Sequence, residues 1–120
     1  MNINYFVLPG VYGIALKDMS KQSLTRKLDG IFTTVCESYK INPDDVINNE
    51  KCRVKKYVEV RQISMALFHK KLGLTVKKTG DYFNKNHATV IYACRTVKNN
   101  RQFDRNFREK TDSLFAGVTL

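Results

Sequence analysis

Apolar residues recur at intervals of three and four along most of this chain, the spacing of helices that bury one face. Leu24, Leu28, Ile31, Phe32, Val35 and Tyr39 form the first such stripe and predict a helix over Ser23–Lys40. "INPDDVINNE" interrupts it, with Pro43 suited to the first turn of a short second helix and Asp44 and Asp45 complementing its dipole. A longer helix is predicted from Val58 to Leu72, with Ile63, Ala66, Leu67 and the Lys70 stem on one face, ended by Gly73 in a left-handed conformation. Thr75 can cap the short helix "VKKTGDYF", which "NKN" closes, and Asn86 can cap another from His87 to Asn99 with Val90, Ile91, Cys94 and Val97 inward. Phe103, Phe107 and Leu114 mark a last helix. Residues 5–16 break the pattern, being rich in β-branched and aromatic types, and suit a short strand or an extended arm. The fold class is therefore mainly α: an N-terminal arm over residues 1–22 and a compact domain of five or six helices over 23–118.

Charge divides the chain more sharply than hydropathy does. The formal net charge is +10, yet residues 1–50 carry five Lys/Arg against six Asp/Glu, while residues 51–110 carry sixteen against four. A positive field confined to one half suits a polyanion, nucleic acid before an anionic membrane surface. The apolar start "YFVLPGVYGIAL" is too short and too broken by Pro9, Gly10 and Gly13 to span a bilayer or act as a signal peptide, so no membrane partner is expected.

Little in the chain points to catalysis or to a cofactor. Cys36, Cys52 and Cys94 are widely spaced with no CxxC pair, as expected of reduced thiols in a cytoplasmic protein, with Cys36 and Cys94 near the core. His87 and His69 are the only histidines, and no acidic cluster accompanies His87. His69 is expected at the solvent or at the edge of a phosphate backbone. Tyr5, Phe6 and Tyr12 are expected to be packing residues.

Two short helices joined by a tight polar turn, the second opening on small polar residues, form a helix-turn-helix pattern. In such a unit the second helix enters the major groove of DNA with its N-terminus leading. Small side chains at Ala88 and Thr89 allow close approach, and free backbone N–H groups at the helix start favour phosphate. Thr75, Lys77, Lys78 and Lys85 stand around that end of the pattern and complete a candidate DNA-binding set on these two helices.

"VCESYKINPDDVI", "RQISMAL" and "TGDYFNKNHATVIYACRTV" follow one another in an order and spacing that resemble the C-terminal DNA-binding domain of the bacterial replication initiator DnaA. The resemblance runs from about Ile31 to Phe115. Gly80, Phe83, His87, Thr89 and Val90 match the family's helix-turn-helix signature, and Arg61-Gln62 match the start of its preceding long helix. It implies a Trp-repressor-like helix-turn-helix and double-stranded DNA as partner, with no enzymatic activity. By the same resemblance Asn86 and His87 would meet base edges, and Thr89 and Lys85 phosphate. Lys55, Lys56 and Arg61 would supply a basic loop and the backbone contacts around it. Departures are equally specific: Asn86 replaces the family's Asp, Ala88 lacks its hydroxyl, Glu59 stands where an arginine is common, and the turn is one residue shorter. An Asp-to-Asn exchange moves the preferred partner from cytosine toward adenine, which asparagine can pair bidentately. No GxxxxGK[ST] loop occurs in the chain, so ATP-driven assembly is not expected of it. The resemblance implies a sequence-specific DNA-binding protein, acting in transcription regulation or as an accessory to DNA replication, suited to a phage or mobile element. The alternative is an interaction protein that retains the fold without site-specific binding, its apolar arm docking on another protein or a second copy.

Overall fold

A computed structural model describes residues 21–48 and 54–117, all in helices or short connections. The helices are α1 (Lys21–Ser38), α2 (Pro43–Asn48), α3 (Lys55–Ala66), α4 (Val76–Phe83), α5 (His87–Phe103) and α6 (Arg105–Gly117). The expected strand or arm within residues 5–16 lies outside the described residues, as do Tyr5, Phe6, Tyr12 and Cys52.

The stripe on α1 faces inward as its spacing requires: Leu28, Ile31, Phe32, Val35 and Cys36 are buried, with Leu24 and Tyr39 packed at the margin. Beyond Ser38 the chain leaves the helix through Lys40, whose φ of 58° is left-handed. Two bonds close that end, Ile41 N–H to Cys36 O at 3.1 Å and Lys40 N–H to Glu37 O at 3.0 Å, the paired pattern of a Schellman motif. A non-glycine residue in that region costs about 1–2 kcal/mol. Lys40→Gly is therefore expected to raise stability by about 1 kcal/mol, which chemical denaturation can measure.

α2 starts where Pro43 predicts, with the Asp44 N–H donating to Asn42 Oδ1 at 2.9 Å. α3 begins three residues earlier than the apolar pattern suggests. It continues beyond Ala66 as a π-helical turn over Leu67–Lys71, which the Leu72 N–H closes onto Leu67 O at 3.0 Å. Gly73, at φ 79°, then reverses the chain as expected, and Leu74 N–H returns to Phe68 O. The His69 ring, half-buried rather than free in solvent, places Nδ1 2.7 Å from Leu74 O. Because a carbonyl only accepts, Nδ1 carries the proton there.

The widest packing joins α3 to α5, with α4 and α6 each against α5. Val60, Ile63, Met65, Leu67 and Phe68 from α3 and its π turn meet Val90, Ala93, Cys94 and Val97 from α5. Phe68 stacks on Phe83 at 5.5 Å and meets Tyr82 edge-on at 5.1 Å, while Phe32 of α1 packs edge-on against Phe83 at 5.5 Å. This aromatic cluster fixes α4 on the body of the domain. Burial and the adjoining Glu37 push the Cys36 thiol up to about 12, and burial raises that of Cys94 against the nearby Lys70, so both stay neutral thiols in the interior.

Two expectations for the C-terminal part need correction. Ile91 is 43% exposed, and Ala93 takes the inward place assigned to it. Phe103 ends α5 instead of joining the last helix, and it is 80% exposed. Asp104 separates the two helices, accepting the Phe107 N–H on Oδ1 at 3.1 Å, and Phe107 and Leu114 are buried on α6 as expected.

Candidate nucleic-acid interface

Local chemistry builds the α4–turn–α5 unit one contact at a time. Thr75 caps α4: its hydroxyl accepts the Lys78 N–H at 3.1 Å, and its carbonyl accepts the buried Thr79 hydroxyl at 2.8 Å. Asn84 leaves the helix at φ 56°, a conformation asparagine tolerates. Lys85 N–H then returns to Gly80 O at 2.8 Å and Asn84 N–H to Asp81 O at 3.2 Å. This tight return brings the chain across Gly80. A Cβ on Gly80 would stand 2.5 Å from the Lys85 carbonyl oxygen, which accounts for glycine at that position.

Asn86 starts α5 by accepting the Thr89 N–H on Oδ1 at 3.1 Å, with the Thr89 hydroxyl directed at the same oxygen from 3.4 Å. Its oxygen is therefore engaged as a cap, and only the side-chain amide nitrogen is left to project outward. Bidentate pairing with adenine needs both atoms, so the capped asparagine offers a donor alone. His87, Ala88 and Thr89 are all exposed at the leading end of α5.

Of the expected site residues, Thr75, Lys77, Lys78, Lys85, Asn86, His87, Ala88 and Thr89 are brought together on this one unit. Lys77 and Lys78 are exposed and Lys85 is half-buried. Lys77 lies 3.4 Å from Asp81 one turn along, an exposed pair that contributes little to stability. Lys55 and Lys56 do not lie in a loop: they are exposed in the first turn of α3. Arg61, half-buried on the same helix, donates to Val46 O of α2 at 3.3 Å and so helps hold that helix end.

Glu59 has a structural partner. It accepts the Tyr39 hydroxyl at 2.9 Å, and Lys110 of α6 stands 3.3 Å over the Tyr39 ring. Burial and the Glu59 carboxylate raise the Tyr39 phenol, as burial and Asp29 raise that of Tyr82, whose hydroxyl donates to Asp29. Both phenols therefore stay protonated beyond the ordinary tyrosine range near pH 10, keeping α1 tied to α3 and α4.

Arg101 also has an internal use. It bonds Thr111 Oγ1, pairs with Asp112 at 2.6 Å and lies 5.1 Å from the Phe115 ring, joining α5 to α6. Arg95 and Lys98 differ, since both are exposed on α5 and enter no ion pair among the described residues. The sequence reading missed them as site candidates, although Arg95 follows Ala88 by seven residues, two turns along one helix face. Among the described residues, no group of three His, Cys, Asp or Glu side chains could hold a metal ion, and no helix is long and apolar enough to cross a membrane.

Comparison with known proteins fits this geometry. The family model described as the bacterial dnaA protein helix-turn-helix matches residues 28–97, from the middle of α1 into α5. The chain is 31% identical over 88 residues to the chromosomal replication initiator protein DnaA of Bacteroides fragilis. The protein of that name from Bacteroides thetaiotaomicron is equally similar over the same length. Each alignment covers 72% of this chain but 18% of the relative. With more than half of its length matched, including the capped turn and the glycine beneath it, the chain belongs to the bacterial DnaA helix-turn-helix family.

Proposed function

We propose that the chain binds double-stranded DNA in a sequence-dependent way through α4, its turn and the leading end of α5. The process it serves is DNA replication, as an accessory factor, or the regulation of transcription. One observation carries this reading: the N-terminus of α5 is exposed and presents small or hydrogen-bonding side chains, with Lys85 in the turn just before it and Lys77 and Lys78 exposed on the preceding α4. Charged contacts of that kind hold a helix on the phosphate backbone, and side chains at its tip meet base edges. Lys55, Lys56 and Arg61 on α3 would add backbone contacts beyond the turn. The relatives' name, chromosomal replication initiator, supports a replication setting.

Affinity for random and selected duplexes, measured across a salt series, tests the proposal. If about six phosphates are neutralised, log K falls with log salt at a slope near −5. Lys77→Ala is expected to weaken binding to all sequences alike and to make that slope shallower by about one. His87→Ala is expected to cost about 1–3 kcal/mol on the preferred site and to relax sequence preference. Absence of duplex binding at low salt would overturn the reading. Uniform weak binding that no site improves would favour the alternative, an interaction protein built on the same fold.

A further inference from the structure

Hydrophobic side chains on the outer face of α5 have no part in the core. Val90, Ala93, Cys94 and Val97 already supply the inward line of that helix. Ile91 is nonetheless 43% and Tyr92 61% exposed, in the second turn of a helix whose outward positions are otherwise small or polar until Phe103 at its last residue. Among the described residues the other exposed large hydrophobics lie elsewhere: Ile47 on α2, Val54 just before α3, and Phe103 at the far end of α5. Neither isoleucine nor tyrosine is a strong helix former, so helix propensity does not explain the pair.

Helical spacing sets what surrounds these two side chains. Ala88, Tyr92 and Arg95 follow at steps of four and three and share one stripe, and Ile91 lies on its shoulder three residues after Ala88. Arg95 and Lys98, both exposed, stand one to two turns farther on. The patch is thus a small apolar area between the polar tip of the helix and two cations. Arg95 and Lys98 beside the patch favour an anionic partner over a second copy of this chain, whose net charge is +10. A DNA groove instead offers phosphates to the cations and base edges to the patch. Of the four bases, only thymine carries an apolar group, its C5-methyl, on the major-groove edge.

We propose that Ile91 and Tyr92, with the methyl of Ala88, form an apolar reading patch that selects thymine through its C5-methyl in the major groove. The assignment rests on the proposed DNA-binding function and makes α5 read by shape and methyl contact where its tip reads by hydrogen bonds. The test starts from duplexes selected by the unaltered protein out of a random library. Each thymine in the selected site is then replaced by deoxyuridine, which removes the methyl and leaves the pairing edge intact. Affinity is expected to fall about threefold to fivefold at one or two positions, the value of one buried methyl. Ile91→Ser and Tyr92→Ser, whose circular dichroism is expected to match the parent because both side chains are exposed, should each lose that sensitivity at one position and keep it elsewhere.

Equal affinity for thymine and deoxyuridine at every position, with selective binding otherwise intact, overturns the patch and leaves the proposed function standing. Methyl sensitivity that survives both serine variants overturns it too, as does a concentration-dependent dimer in sedimentation that Ile91→Ser abolishes. Failure of the parent protein to bind any duplex at low salt removes the proposed function, and the patch with it.

Discussion

Gly80→Ala is expected to destabilise the domain although it adds only a methyl group to a helix. Alanine is the better helix former by about 1 kcal/mol, and at an open position that difference would appear as a gain. At Gly80 the new Cβ would lie 2.5 Å from the Lys85 carbonyl oxygen and 3.5 Å from Asn86 backbone atoms. No flexible side chain can yield there, so the turn itself must move. Overpacking of this kind costs roughly 1–3 kcal/mol, with the upper end expected because the obstacle is backbone. Gly30 on α1 provides the control, since nothing lies within 4 Å of a Cβ built on it. Gly30→Ala should stabilise by about 1 kcal/mol while Gly80→Ala destabilises, a difference of sign that urea denaturation resolves directly. Any folded Gly80→Ala protein should also lose DNA affinity, because displaced Lys85 and Asn86 re-aim the start of α5.

A larger loss is expected from Phe68→Ala. Phe68 is fully buried and meets Tyr82 and Phe83 of α4 from the π turn after α3. Truncating a buried phenylalanine costs roughly 3–5 kcal/mol, partly for the cavity left behind. A domain of this size commonly has about 5–15 kcal/mol in total, so the variant should be marginally folded. Its thermal midpoint should drop by roughly 4–8 °C for each kcal/mol lost. Phe68→Leu, which retains most of the volume, should recover the greater part. A small change for Phe68→Ala would mean that α4 is held chiefly by its caps and not by the aromatic cluster.

Helix ends were the most legible features of the sequence. Thr75, Gly73, Pro43 and Asn86 announce their roles because capping and turn chemistry act within four residues of the chain. The start of α3 gave no such sign: its N-cap, Val54, has no capping side chain, and its first turn holds lysines where acidic residues usually stand. Lys55 and Lys56 therefore read as loop residues although they are helical. Ile91 was misplaced for another reason. Helical period fixes the width of an apolar face but not its phase, and a hydrophobicity reading prefers isoleucine to the alanine that the packing with α3 selects. Glu59 and Arg101 lay beyond sequence reasoning, since their partners Tyr39, Thr111 and Asp112 are ten or more residues away. Both charges are committed to joining helices. Part of the positive field is thus structural, and Arg95 and Lys98, unused by the core, better represent what a polyanion would meet.

If α5 meets DNA as proposed, the bond from Thr89 N–H to Asn86 Oδ1 would restrict how the target can change. A residue that both starts a helix and faces the ligand can be exchanged freely only among side chains able to do the first job: aspartate, serine, threonine and asparagine. Within that short alphabet the group left outside the cap passes from a carboxylate oxygen that accepts to an amide nitrogen that donates, while serine and threonine spend their one oxygen on the cap and leave only its O–H to donate, with little change in stability. Specificity at this position can therefore drift in a few discrete steps that folding does not oppose, whereas any aliphatic replacement would cost about 1 kcal/mol of the domain as well as the contact.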